Sequence, residues 1–119
     1  MSSKTIKALS RSVLIGLVFV SLASNAELQI PEEPTIKRQQ QLHQLLLQDC
    51  SVCHGKLLKG DLGPPLTPEA LANKGEWPLV RTILRGHDKA EMPAWAWEME
   101  DYEARWLVRF IRGGRVNGK

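Results

Sequence analysis

The sequence predicts an all-α domain, and three observations lead there. Apolar residues recur at helical spacing in three separate stretches, near residues 36–49, 78–85 and 101–112. No stretch of any length shows the alternation of a half-buried strand. The first helical stretch runs directly into Cys50-Ser51-Val52-Cys53-His54, and C-x-x-C-H is the attachment signature of a c-type haem. Each thiol of such a motif forms a thioether to one porphyrin vinyl group, and the adjoining imidazole stands under the iron as proximal ligand. The expectation is about three main helices, with short ones between them, around one covalently attached haem.

Residues 1–26 stand apart from that domain. Lys4, Lys7 and Arg11 precede an apolar run over 13–23, and Ser24-Asn25-Ala26 offers small residues at −3 and −1 of a cleavage site. This is the layout of a secretory signal peptide; the apolar run is shorter than the roughly 20 residues a membrane span needs. Residues 27–35, with Pro31 and Pro34, read as a flexible leader, and 36–119 as the domain. The whole chain has 16 Lys and Arg against 13 Asp and Glu. The export segment holds three of those bases and no acid, so the remainder is balanced. The pI near 9.1 therefore gives no support to nucleic-acid binding. Export to the periplasm is expected, as a monomer that does not span the membrane. The two cysteines have rival readings as a disulfide or a thiol redox pair. A thioredoxin-like motif wants a βαβ setting and a structural zinc wants four ligands; the sequence offers neither.

In the first helical stretch Leu42, Leu45, Leu46 and Asp49 fall at i, i+3, i+4 and i+7, on one stripe that leads into Cys50. After His54 a charged, glycine-containing loop leads to Leu62-Gly63-Pro64-Pro65-Leu66. The two prolines fix an extended backbone and remove two donors, which leaves a carbonyl free for an outside donor. A proximal histidine needs such an acceptor for its second ring nitrogen. The Pro64 carbonyl is assigned that role, with Leu66 packing on the haem. Thr67-Pro68-Glu69 opens a short helix to about Asn73. Another begins near Pro78, with Leu79, Val80, Ile83 and Leu84 on one face, and Gly86 ends it as a left-handed residue.

Four side chains are candidates for the sixth position on the iron: His43, His87, Met92 and Met99. Met92 fits best, because a thioether is a soft ligand suited to haem iron and Pro93 restricts its backbone. His87, five residues earlier, is the alternative by ligand exchange. Met99 reads as surface or edge packing and His43 as solvated. Trp77, Trp95, Trp97 and Trp106 read as core and haem-pocket packing. In the last helix Trp106, Leu107, Phe110 and Ile111 share one face, with Arg105, Arg109 and Arg112 opposite and acids at its start. Lys56, Lys59, Lys74, Arg81, Arg85 and Lys89 lie in segments around the expected haem edge, as a solvated face or as a collar that steers an acidic partner.

The order C-S-V-C-H-G, G-P-P-L, M-P-A-W and a terminal helix carrying Phe110 resembles a class I cytochrome c over roughly residues 36–112. The run from Cys50 to Leu71, together with Met92-Pro93-x-Trp95, is similar to the small NirC-type cytochromes associated with cytochrome cd-type nitrite reductase. That resemblance implies a periplasmic carrier of single electrons rather than an enzyme. Its partner would be the nitrite reductase of denitrification or the machinery that matures that enzyme's haem. One departure stands out. Many class I members carry Gly and an aromatic residue where this chain has Leu42 and Leu46, so a more aliphatic and wider crossing of the first and last helices is expected.

Overall fold

A computed structural model describes residues 32–89 and 91–117. The expected signal peptide and residues 27–31 of the leader lie outside the described residues. Among the described residues the chain is helical, and its sole β feature is an isolated antiparallel bridge between His87 and Met92.

Helix α1 spans Ile36–Leu45. Thr35 caps it, its hydroxyl accepting from the Arg38 N–H at 3.3 Å. Gln39 reaches back to the carbonyl of Pro34, which is buried, so the last two residues of the expected leader are tied to the domain. Leu42 and Leu46 are fully buried, each burial contributing roughly 2 kcal/mol. The helix does not continue regularly to the cysteines. A π turn, Leu46–Cys50, intervenes before the short α2, Ser51–His54. The wider turn breaks the 3.6-residue stripe, and Asp49, expected on its apolar side, is exposed.

Helix α3, Pro68–Leu71, is capped by Thr67 and is shorter than expected; a turn from Lys74 N–H to the Leu71 carbonyl closes the chain instead. Helix α4, Glu76–Arg85, starts two residues before Pro78. Gly75 is its N-cap, and Pro78 occupies the third helical position, where a missing N–H still costs nothing. Val80 and Leu84 are buried, with Leu79 and Ile83 packed beside them.

Helix α5, Asp101–Arg112, is the hub against which α1, α3 and α4 pack. Glu100 and Glu103 form a reciprocal capping box at its start. Its inner face buries Ala104, Trp106, Leu107, Val108 and Ile111. Two ion-pair clamps tie the helices together. Arg38 of α1 donates to both carboxylate oxygens of Glu103, at 2.7 and 3.2 Å, and to the Glu98 carbonyl. Glu76 of α4 accepts from Arg105 at 2.9 Å and Arg109 at 3.0 Å. Of the three arginines expected to mark an outer face of α5, Arg105 and Arg109 are therefore cross-links to α4, while Arg112 donates to the Ala72 carbonyl at 3.5 Å.

Candidate haem-binding site

The attachment motif sits at the end of the α1–π–α2 run. Cys50 closes the π turn and is half-buried, Cys53 is exposed on α2, and both carry free thiols. Burial, with the Asp49 carboxylate adding to it, pushes the Cys50 thiol up to about 11. A catalytic or redox thiol is activated by a depressed pKa, so Cys50 has the opposite character and behaves as a neutral thiol near pH 7.

His54 is 7% exposed, and its Nδ1 lies 2.7 Å from the Pro64 carbonyl oxygen. The loop after it folds back to make this contact. Gly60 N–H donates to the His54 carbonyl at 2.9 Å, Gly63 N–H to the Cys53 carbonyl at 2.6 Å, and Leu66 N–H to the Leu58 carbonyl at 2.8 Å. The approach is so close that a Cβ on Gly63 would stand 2.9 Å from Nδ1 and Cε1 of the His54 ring. A carbonyl accepts only from a protonated Nδ1, so this contact selects the tautomer whose Nε2 lone pair is free for a metal. Two free thiols, an imidazole with one nitrogen so committed, and a glycine that leaves room for the ring form a donor set that fits covalently attached haem. Leu66 is half-buried against the core.

Met92 arrives on a separate element. It is half-buried, and its carbonyl accepts from the His87 N–H at 3.0 Å. Trp95 and Ala96 donate to the carbonyls of Ile83 and Leu84, each at 3.1 Å. Among the described residues no hydrogen bond joins this segment to residues 50–66; α4 and α5 carry the connection between them. Cys50, Cys53, His54 and Pro64 thus form one local cluster, and Met92 belongs to a second one docked on α4.

Several candidates change character. Met99 is 4% exposed and part of the core, not edge packing: the turn after Trp95, whose carbonyl accepts from the Met99 N–H, folds it inward despite its acidic neighbours. His43 is not solvated either. Its ring meets Phe110 edge-on at 5.3 Å, and its Nε2 is buried without a hydrogen-bond partner. His87 is exposed, opposite Met92 in the bridge. Trp106 is buried and Trp95 half-buried, but Trp77 and Trp97 are 52% and 76% exposed. Trp97 stacks on Trp95, and Trp77 lies under the Arg105 guanidinium. Lys56, Lys59, Lys74, Arg81, Arg85 and Lys89 are all exposed, and none is in an ion pair among the described residues.

Sequence reasoning missed the part played by Gly86. It has a positive φ of 74° with ψ at −169°, which is not the left-handed helical conformation expected of a helix stop. The signal for it was its place, six residues ahead of Met92 at a helix end.

The family described as cytochrome c oxidase, cbb3-type, subunit III matches residues 37–111. Cytochrome c55X of Pseudomonas aeruginosa is 52% identical over 83 residues, 69% of this chain and 70% of that protein. The solved structure of a c-type cytochrome NirC is similar at TM-score 0.68 and 48% identity, over 70% of this chain and 98% of that one. A stretch of the dihydro-heme d1 dehydrogenase of Pseudomonas aeruginosa is 33% identical over 67 residues, 56% of this chain but 14% of the enzyme.

Proposed function

On the premise that the chain belongs to the NirC-type cytochromes c, with haem c bound covalently, we propose that it carries single electrons in the periplasm to nitrite reductase in denitrification. The observation that carries this reading is the buried His54 imidazole, committed through Nδ1 to Pro64, beside two free thiols. Haem supplies, when bound, an iron centre that changes by one electron. Cys50 and Cys53 tether one such group. His54 offers Nε2 from one side, and the Pro64 carbonyl makes that imidazole a better donor. Met92 would add a soft thioether as second ligand, which would favour the reduced state. Held by both His54 and Met92, the iron would have no coordination site left for a substrate, in keeping with relatives that are named as cytochromes.

The six exposed cations support docking to an acidic partner, with an association rate that falls as salt rises. No helix of the described residues is long and apolar enough to cross a membrane, and periplasmic export rests on the character of residues 1–26. The test has two stages. The oxidised protein is expected to show the near-infrared charge-transfer band of Met–iron ligation, and Met92→Ala to open the iron to carbon monoxide. Reduced protein is then expected to transfer electrons to purified nitrite reductase; failure at low salt would overturn the carrier reading.

A second reading has its own observation. A domain like this one forms part of a protein named dihydro-heme d1 dehydrogenase. An accessory role in maturing the nitrite reductase cofactor fits that likeness. Deleting the chain would then lower the cofactor content of the reductase, whereas loss of a mere donor would leave the content intact and slow the turnover.

A further inference from the structure

We propose that the C-terminal corner of α4, from Ile83 to His87, is the platform that aims Met92, with Gly86 as the positioning residue. The inference rests on Met92 as the sixth ligand and adds what holds it in place.

The last carbonyls of any α-helix lack partners within the helix and need donors from elsewhere. At the end of α4 two of those carbonyls are satisfied by the segment that carries Met92. Trp95 N–H donates to Ile83 and Ala96 N–H to Leu84, each at 3.1 Å. Pro93 has no N–H to give, so the donors come from residues beyond it. On the near side, His87 N–H donates to the Met92 carbonyl at 3.0 Å, which closes the antiparallel bridge. The Met92 segment is thus the C-terminal cap of α4.

Gly86 lies between these two attachments. Its positive φ with extended ψ is a region that essentially only glycine occupies. A Cβ there would stand 2.9 Å from the Ala94 nitrogen and from the Pro93 carbonyl carbon, and would also collide with the Met92 carbonyl oxygen. All three are backbone atoms, which cannot rotate aside as a side-chain tip could. A methyl group at position 86 must therefore lift residues 92–94 from the helix end, and the thioether goes with them. Helix α4 is itself clamped to α5 through Glu76, Arg105 and Arg109. The sulfur is held by a rigid element and not by a free loop, as a preorganised ligand should be.

The experiment compares the wild type, Gly86→Ala and Gly114→Ala as holoproteins. Gly114 also has a positive φ, of 67°, but its nearest neighbour for a Cβ is Pro68 Cγ at 3.5 Å, an ordinary contact remote from Met92. Gly86→Ala is expected to lose the Met–iron near-infrared band, gain carbon monoxide binding and show a lowered reduction potential, with its far-ultraviolet circular dichroism retained. Gly114→Ala is expected to keep the band. Wild-type band and potential in Gly86→Ala would overturn the proposal, as would equal loss of the band in Gly114→Ala. Absence of the band from the wild type would instead remove Met92 as ligand. If Gly86→Ala yields no holoprotein, Ala96→Pro takes its place: it deletes the donor to Leu84 without touching the Gly86 corner. Partial loss of the band in that variant supports the platform, and full retention overturns it.

Discussion

Nδ1 of His54 and the carbonyl oxygen of Pro64 are 2.7 Å apart, across a loop that brings Gly63 against the same imidazole. The hydrogen bond and the steric contact act together: one sets the tautomer and the other sets the angle of the ring. Gly63→Ala should therefore displace the ring or stretch the bond. A weaker bond from Nδ1 makes the imidazole a poorer donor, which disfavours the oxidised iron. The expected outcome is a raised reduction potential in a redox titration, with electron transfer slowed by about tenfold, the lower end of outer-shell effects.

Met92 and Met99 are the two methionines of the domain, and with Met92 as the proposed iron ligand they predict opposite phenotypes. Met99 is a core residue. Met99→Ala should cost about 2–5 kcal/mol in chemical denaturation and leave the near-infrared band in place. Met99→Leu, which conserves volume, should cost less than about 1.5 kcal/mol. Loss of the band in Met99→Leu would reverse the assignment.

Arg38 holds Glu103 with two hydrogen bonds and reaches the Glu98 carbonyl, so it pins α1 to the start of α5. Truncation leaves a buried carboxylate without its cation. Arg38→Ala is expected to lower stability by about 2 kcal/mol, measured by chemical denaturation.

The same clamps set the acid limit of the fold. Burial would raise the Glu103 carboxyl, but the hydrogen bond from Arg38, aided by the Glu100 N–H, outweighs it and holds the group below the usual range. Hydrogen bonds from Arg109 and then Arg105 hold Glu76 low as well. A group whose folded pKa is depressed contributes stability that is fully present above its unfolded value and is lost as the pH falls through the folded one. Thermal stability should therefore be level from pH 7 down to about 5 and decline below about 4. Glu76→Gln should be less stable at pH 7 and show a shallower acid decline.

The buried Nε2 of His43 is an expense without a return in the fold. His43→Leu removes an unsatisfied polar atom while keeping an apolar contact for Phe110. Stability is expected to stay level or rise by about 1 kcal/mol; a loss larger than that would show that the imidazole has a partner in solution.

Much of this architecture was legible in the chain. Leu42 and Leu46, Val80 and Leu84, and Trp106, Leu107 and Ile111 were readable as buried faces because helical periodicity is a property of sequence. Thr67 was readable as a helix boundary from capping chemistry. What escaped depends on contacts between distant residues. Nothing local says that Arg105 and Arg109 will meet Glu76, or that Met99, beside Glu98 and Glu100, will turn inward. The start of α4 was misplaced because Pro78 is a strong helix opener, yet the third position tolerates it equally well. Gly86 read as a stop signal because its second neighbour, the backbone at Met92, is adjacent only in three dimensions. For the candidate site, C-x-x-C-H is a local pattern and the His54–Pro64 contact lies ten residues along the chain, whereas the hydrogen bonds that join residues 92–96 to the end of α4 could not be inferred from spacing.

The π turn at Leu46–Cys50 has a consequence for how this chain can change. A π turn is an α-helix that has accepted one extra residue. Deleting Leu47 or Gln48 would restore ordinary helical geometry and look harmless in a sequence comparison. Each residue of an ordinary α-helix turns the chain by about 100°, but a π turn winds more loosely and takes up its extra residue within the turn. The deletion would therefore leave Cys50, Cys53 and His54 close to their present phase relative to the Leu42–Leu46 anchor. The irregular turn acts as slack between the part of the helix that grips the core and the part that carries Cys50, Cys53 and His54, and loss of one residue should be better tolerated here than in the regular turns of α1.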